Sequence, residues 1–421
     1  MEVVQRLKRL PQREGAFLAV NAQKEGFAFM YDLQFARRFD GVSGSAIRDI
    51  FKLLGQPGMI SFAGGNPAWD ALDNETLSQI ARDVLAGPDG KALLQYGATE
   101  GWKPLREQTA RFLREEVGID VAESEILPTT GSTQAVDLLL KALVNPGDTV
   151  LVEGPSFLGS LQAMRIYGAN LVEIPMDEQG LDIDALERAA IAYRPKMLYT
   201  IPNFQNPTGV TLSTERRKEI ARLAARYGFV VAEDDPYRGL RYAGNHLPSI
   251  FSFDTEGLVV YLTSFSKLIS PGTRVGAAVV KNPQLLRKLV IGKQSTDLHT
   301  PLISQALVAE YLARDLLGAH MEKILGMYAR QLQTMQRELA ALPVKVFPTQ
   351  GGLFVWCALK ADVDTVALLQ KCIRNGVAYV PGTHFYANGG HLNTLRLNFS
   401  NSTPEQIVQG VAALKKSMEE E

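Results

Sequence analysis

Residues 263–276 read Thr263-Ser264-Phe265-Ser266-Lys267-Leu268-Ile269-Ser270-Pro271-Gly272-Thr273-Arg274-Val275-Gly276. They follow an apolar run, Gly257 to Leu262 (GLVVYL), that reads as a buried strand. A lysine therefore sits among serines just past a strand end, with an arginine seven residues later. Shielded from bulk water, a lysine has a lowered pKa, and its neutral amine can attack a carbonyl. The hydroxyls and the guanidinium fork suit a dianionic phosphate. The motif S-x-S-K is short, and the same window also reads as a solvated lysine in a polar loop. The rest of the chain decides between them.

Upstream, from about residue 125, short apolar strands alternate with turns and amphipathic helices. Strands are expected at 149–152, 170–175, 196–201 and 229–232, and helices at 135–143, 182–193 and 213–227. Such alternation implies a mostly parallel sheet with helices on both faces. Residues 73–118 read as helical, interrupted by Leu94-Gln95-Tyr96-Gly97, and a further helix is expected over 45–54 with Ser45 as its cap. Between them, Met59–Phe62 form a short strand that runs into Gly64-Gly65-Asn66-Pro67. Paired glycines let backbone approach a ligand closely, and they also simply make turns. Downstream, a short strand at 277–280 precedes helical patterns over 283–340. The tail then mixes strands at 344–348, 351–356, 377–380 and 394–399 with helices near 363–374 and 404–418, as in a smaller α+β unit.

Composition narrows the classes. The chain has 421 residues, 46% of them hydrophobic, enough for a large core in at least two structural units. Lys+Arg number 44 against 45 Asp+Glu, with no long basic block, so nucleic-acid binding is not expected. Two cysteines and five histidines, without metal-ligand spacing, point away from disulfides and metal sites and fit a reducing cytoplasm. No apolar run reaches the ~18 residues of a membrane span. The first 29 residues, ahead of Met30, read as an extension or an over-extended start.

In parallel α/β sheets, ligands bind beyond the carboxyl ends of the strands. The unusual residues gather there: Gly131-Ser132-Thr133 opening a helix, where free N–H groups favour a phosphate; Asn206 in a Pro/Gly-rich turn; Asp234 and Tyr237; and Lys267. Each alone has a structural reading, as a turn former or loop cap, but together their chemistry is compatible. An amine beside a phosphate seat is what pyridoxal phosphate needs. That cofactor acts as an electron sink if a carboxylate keeps its ring nitrogen protonated, a task for Asp234. Asn206 and Tyr237 would tune its ring hydroxyl.

At these motifs the chain resembles the fold-type I, class I/II aminotransferases that depend on pyridoxal phosphate, in particular the subgroup with kynurenine/α-aminoadipate aminotransferases. The resemblance covers about residues 45–415. It rests on SFAGGNP, YGATEGWKPLRE, TTGSTQAVDLL, PNFQNPTG, EDDPY, SFSKLISPGTRVG, GGLFVW and LRLNFS. It implies an α/β fold with a mostly parallel, seven-stranded sheet of the aspartate-aminotransferase type. It also implies an N-terminal segment (31–65) packing with the small domain, a large cofactor-binding domain (66–305) and a small C-terminal α+β domain (306–421). Lys267 would form the internal aldimine and shuttle the substrate proton, with Asp234 on the pyridine nitrogen and Asn206 and Tyr237 on the ring hydroxyl. Ser132, Thr133, Ser264, Ser266 and Arg274 would hold the phosphate. Phe157 matches an aromatic that stacks on the ring, commonly tyrosine in relatives. Tyr96 matches a tyrosine reaching the neighbouring subunit's phosphate, which implies a homodimer with shared sites. Arg396 would clamp the substrate α-carboxylate, while Gly65 and Arg48 lie near the substrate side chain; Arg48 reads equally as a surface helix charge.

The activity implied is transfer of an amino group from an L-amino acid to a 2-oxo acid such as 2-oxoglutarate, in a ping-pong cycle. Two alternatives share the cofactor residues. One is a C–S β-lyase; the other is a non-enzymatic effector domain, which the short N-terminal segment without a helix-turn-helix pattern disfavours. Aromatic, branched-chain and aminoadipate-type donors all remain open.

Overall fold

The computed structural model describes residues 33–40, 42 and 58–420. Residues 33–40 belong to a separate unit, where Arg37–Phe39 make one 3-10 turn. The helix expected over 45–54, and Arg48 with it, lies outside the described residues.

In the second unit, β1 (Ile60–Ser61) comes first. The central sheet takes β2 (Ile126–Thr129), β3 (Thr149–Gly154), β4 (Asn170–Asp177), β5 (Gly180–Leu181), β6 (Met197–Thr200), β7 (Val230–Asp234), β8 (Val259–Ser264) and β9 (Gly276–Val279). Their spatial order is β2-β9-β8-β7-β6-β3-β4-β5. The pairs from β8 through β7, β6 and β3 to β4 are parallel, whereas β9 runs against both its neighbours. This is the mostly parallel sheet that the sequence implies, with the two-residue β5 added at one edge, antiparallel to β4. Parallel neighbours need crossover helices. The helix Ile183–Tyr193 starts where Asp182 accepts the Ala185 N–H, and Thr214–Tyr227 starts where Ser213 accepts that of Arg216 and stops at Gly228, φ 74°.

Both faces of this sheet are buried, so alternate residues of one strand enter different cores. Val150 and Val152, Met197 and Tyr199, Val230 and Ala232, and Val260 and Leu262 pack in one core; Leu151, Leu198, Val231, Val259 and Tyr261 pack in the other. Each fully buried aliphatic side chain contributes roughly 1.5–3 kcal/mol. A slip of one residue would exchange the two sets, so the register is firmly set. The same alternation assigns the polar strand ends: Asp234 follows Val230 and Ala232, while Glu233 follows Val231.

Strands β7 and β8 end two residues later than the apolar runs suggest. Glu233 and Asp234 pair with Tyr261 and Leu262, and Thr263 and Ser264 pair with Ala277 and Gly276. Backbone pairing continues where the side chains turn polar, which hydropathy cannot register.

The C-terminal part holds β10 (Lys345–Val346), β11 (Phe354–Ala358), β12 (Val377–Ala378), β13 (Val380–Pro381) and β14 (Thr394–Asn398). Four of them form an antiparallel sheet, β10-β11-β14-β13, in which Arg396 lies opposite Trp356 and Val380. β1 pairs in parallel with β12, tying residues 60–61 to this part. The expected boundary at 305/306 falls inside the helix Leu302–Ala313, which packs against Asn74–Ala86 and Lys103–Phe112. No described helix is long and apolar enough to cross a membrane.

Candidate active site

Strand ends and small-sheet residues converge at the carboxyl edge of β6, β7 and β8. Lys267 follows β8 in a tight turn, and its Nζ donates to the Gly65 carbonyl at 2.8 Å. The residue is half-buried, but its amine is well enclosed. Burial first, then the charges of Arg274 and Arg396, bring its pKa down to about 8.

Asp234 ends β7 and is buried. Burial lifts its carboxyl to about 6, against a hydrogen bond from the Tyr199 hydroxyl to Oδ2 at 2.8 Å. The Ser132 side chain lies near enough to lower its pKa, but Oδ1 has no aligned hydrogen-bond partner among the described residues. A buried carboxylate oxygen without a donor is costly, of the order of 1–3 kcal/mol, and is a place where a ligand N–H can be accepted.

Ser132 begins the helix Ser132–Leu143. The cap residue, Gly131, has no side chain to offer and takes φ 75°, leaving the first N–H groups uncapped. A Cβ at Gly131 would lie 2.5 Å from Arg274 Nη2, so glycine is needed for the arginine to come alongside. Arg274 itself has long contacts of 3.4 Å, to the Ser266 hydroxyl and the Thr130 carbonyl. Ser264 Oγ accepts the Ser266 N–H at 3.3 Å. Guanidinium, hydroxyls and a helix N-terminus thus form one anion seat. Thr133 is in the first turn but exposed, and half-buried Phe157 caps the next helix.

Opposite the lysine, buried Arg396 donates through Nη1 to Asn206 Oδ1 at 2.9 Å and through Nη2 to the Ala63 carbonyl at 2.6 Å. Asn206 donates to the Tyr237 hydroxyl at 3.3 Å. The guanidinium lies over Phe354 at 4.2 Å and Phe385 at 4.9 Å. No described carboxylate forms an ion pair with it, Nε is without a partner, and burial lowers its pKa to about 10. A buried cation in this state seeks an anion from outside. Burial raises the Tyr237 hydroxyl to about 12, so it stays a donor at neutral pH.

The structure therefore joins Lys267, Gly65, Arg396, Asn206, Tyr237, Asp234, Ser132, Ser266 and Arg274 in one site. Within one chain Tyr96 stands apart from these residues: it is 81% exposed, and its ring meets the edge of His299 at 6.4 Å. Sequence reading missed Tyr199, Phe354 and Phe385 as members. A fully buried tyrosine must find a hydrogen-bond partner, and that was the available signal for Tyr199.

Comparison with known proteins agrees. The model of the family "Aminotransferase class I and II" matches residues 57–414, and the chain belongs to that family. It is 39% identical to an aromatic-amino-acid aminotransferase of Thermococcus litoralis, over 93% of this chain and 95% of the relative. It is 40% identical to a 2-aminoadipate transaminase of Thermus thermophilus, over 91% of this chain and 96% of the relative. Among solved structures, α-aminoadipate aminotransferase from Thermus thermophilus, complexed with N-(5'-phosphopyridoxyl)-L-leucine, superposes with a TM-score of 0.83 at 38% identity, covering 91% of this chain and 97% of that one. The protein is an aminotransferase of fold type I, and pyridoxal phosphate is its cofactor. The residues fit that cofactor: an orphaned carboxylate oxygen for the ring nitrogen, an uncapped helix start with Arg274 for the phosphate, and an amine of lowered pKa.

Tyr199 gives a test. Tyr199→Phe removes the donor that holds the ionised form of Asp234, so the carboxyl pKa rises further above 6. Pyridoxal phosphate affinity, which needs Asp234 ionised, should fall about tenfold at pH 7 from the loss of ~1.5 kcal/mol. Its decline on acidification should begin at higher pH than in the wild type. Absorbance titration of apo-protein across pH checks both; an unchanged profile would remove Tyr199 from the site.

Proposed function

We propose that the protein moves the amino group of an L-amino acid to a 2-oxo acid, 2-oxoglutarate being the expected acceptor, in two half-reactions at one site. The observation that carries this reading is the pairing across one site of an amine at about pKa 8, Lys267, with a buried guanidinium, Arg396, that forms an ion pair with no carboxylate among the described residues. Bound pyridoxal phosphate supplies an electron sink for the bonds at the substrate Cα.

The chain's residues divide the remaining work. Arg396 grips the α-carboxylate with its fork and so fixes which Cα substituent faces Lys267. Lys267 Nζ takes and returns the Cα proton as general base and acid; a pKa near the working pH suits both tasks. Asp234 Oδ1 keeps a proton on the ring nitrogen. Asn206 and Tyr237 donate to the ring hydroxyl, and Phe157 supplies a stacking face. Ser132, Thr133, Ser264, Ser266 and Arg274 hold the phosphate. Gly65 lies on the substrate side-chain side, while Arg48, named with it from the sequence, is outside the described residues.

We assign a broad donor range to the protein: aromatic, branched-chain and aminoadipate-type amino acids. Support comes from the apolar rings of Phe354 and Phe385 beside Arg396 and from relatives named for aromatic and 2-aminoadipate substrates. A division into a large cofactor-binding part and a small C-terminal part belongs to the same reading, as does a place in the cytoplasm. The test is separation of the half-reactions: an amino acid alone should convert the cofactor stoichiometrically, and a 2-oxo acid alone should restore it.

Two chains would complete each site. Tyr96 is 81% exposed, Leu94 69%, and Leu298, beside the His299 that Tyr96 meets, 40%. A cluster of exposed large apolar side chains favours a covering partner. Leu94→Glu should shift sedimentation from twice 46.2 kDa to a single chain and weaken cofactor retention. A wild-type protein that sediments as one chain while fully active would contradict the shared site.

A further inference from the structure

The helix that opens at the phosphate seat has no side-chain cap. Gly131 stands at the N-cap of Ser132–Leu143 with nothing to offer, so the turn ahead of it is shaped from elsewhere. Gln134, the third residue of the helix, reaches back, and its Oε1 accepts the Thr130 N–H at 2.8 Å. The contact resembles the glutamine arm of a capping box, carried one residue further back and with no serine or threonine cap to return it.

A side-chain amide can sit either way round, and only one way accepts from Thr130. The neighbours of Gln134 choose that way. Lys293 Nζ donates to Oε1 at 2.8 Å, while Nε2 donates to Asp297 Oδ2 at 2.6 Å. An ammonium only donates and a carboxylate only accepts, so a flipped amide would meet both with the wrong atom.

Lys293 and Asp297 are themselves an ion pair, with Nζ 3.0 Å from each carboxylate oxygen. Lys293 lies in the last turn of the helix Pro283–Gln294 and is 0% exposed. The chain folds back there, the Asp297 and Leu298 N–H groups both donating to the Lys293 carbonyl. Burial pushes the Asp297 carboxyl up, but the hydrogen bonds of Gln134 and Lys293 outweigh it and hold the group below its ordinary pKa. A buried ammonium is costly unless it is paired and hydrogen-bonded. The bonds that satisfy this one converge on the phosphate turn. Asp297 Oδ2 also accepts the Thr130 hydroxyl at 3.1 Å. Lys293 donates further to the Thr300 hydroxyl at 3.1 Å, which lies 3.4 Å from that same Thr130 hydroxyl. The Thr130 carbonyl in turn receives Arg274 Nη2.

We propose that Lys293 and Asp297 are positioning residues for the cofactor phosphate: they fix the Gln134 amide, the amide fixes Thr130, and the turn Thr130–Thr133 is thereby held in the shape that receives the phosphate beside Arg274. The pair is neutral as a whole, so its effect passes through geometry rather than net charge. Their role rests on the phosphate seat of Ser132, Thr133 and Arg274 proposed above. The competing role is a tie between the helices Ser132–Leu143 and Pro283–Gln294, which pack together; a tie would change stability without reading the phosphate.

The test compares pyridoxal phosphate with pyridoxal, which share ring and aldehyde and differ in the phosphate. Binding of each to the full-length apo-protein is followed by absorbance. Lys293→Met should weaken pyridoxal phosphate at least about tenfold and pyridoxal by less than about twofold. Gln134→Met should be equally selective, and adding Lys293→Met to it should cost no more than about twofold further, because the lysine acts through the amide. Lys293→Met/Asp297→Leu removes both charges together and should show the same selectivity, which covers the case in which a lone Asp297 disturbs folding. Arg274→Met reports on the seat itself and should also weaken pyridoxal phosphate alone. If Arg274→Met treats the two ligands alike, the phosphate seat is wrong and the positioning role falls with it. If Arg274→Met is selective but the folded Lys293 variants bind both ligands normally, or weaken both alike, the pair is a helix tie and the positioning role alone is overturned. A full further loss from Lys293→Met in the Gln134→Met background overturns it as well, since the lysine would then act by another route.

Discussion

Lys267→Ala abolishes transamination, by at least about 10⁴-fold in turnover, because both covalent capture of the cofactor and the Cα proton transfer use the same Nζ. The purified variant should also lose the visible absorbance of covalently held pyridoxal phosphate, while the phosphate seat of Ser266 and Arg274, which the substitution leaves intact, still binds the cofactor reversibly. The pH dependence has a definite sign. Burial and the two guanidiniums lower the amine's pKa to about 8, so its reactive neutral fraction grows with pH only up to that value. Cofactor uptake by wild-type apo-protein should rise about tenfold per pH unit below 8 and level off above it, whereas an ordinary lysine amine would go on gaining reactivity to about 10.4. Near-wild-type turnover in Lys267→Ala would remove the lysine from the mechanism.

Arg396→Ala raises KM for amino acids at least about 30-fold, the equivalent of ~2 kcal/mol for a lost buried charge contact, and leaves the cofactor bound. The two effects separate because Arg396 contacts Asn206, Ala63 and the rings of Phe354 and Phe385, and none of the phosphate seat. Arg396→Lys should recover part of the loss, since the charge returns without the two-pronged fork. Steady-state kinetics with one donor, together with the cofactor content of each variant, checks this. A variant that loses pyridoxal phosphate with KM unchanged would place Arg396 in the cofactor site instead.

The αβ alternation and the strand-end positions of Asp234 and Lys267 were legible because they depend on apolar periodicity and on the general geometry of parallel sheets. The ends of β7 and β8 were not, since Asp234, Thr263 and Ser264 are polar yet stay in register with their neighbours. Most of the site residues could be read because each is a residue type that its chemistry demands. Tyr199 escaped, being one more aromatic in the apolar run Met197–Thr200; only the fold reveals that its hydroxyl ends at Asp234. Phe354 and Phe385 escaped for a similar reason. They lie 31 residues apart and meet at Arg396 through the pairing of the small sheet, which composition does not encode. Tyr96 stands apart: the role proposed for it concerns a second chain, and on one chain it is an exposed ring beside His299.

The most direct measurement is the absorbance spectrum of the purified, cofactor-loaded protein before and after a mixture of L-amino acids is added without any oxo acid. The account predicts that the visible band gives way to the shorter-wavelength band of the pyridoxamine form, and that 2-oxoglutarate then restores it; single donors can be ranked the same way. Release of pyruvate and ammonia with no such interconversion would contradict the account and indicate a lyase, and a band indifferent to every amino acid would contradict the roles given to Lys267 and Arg396.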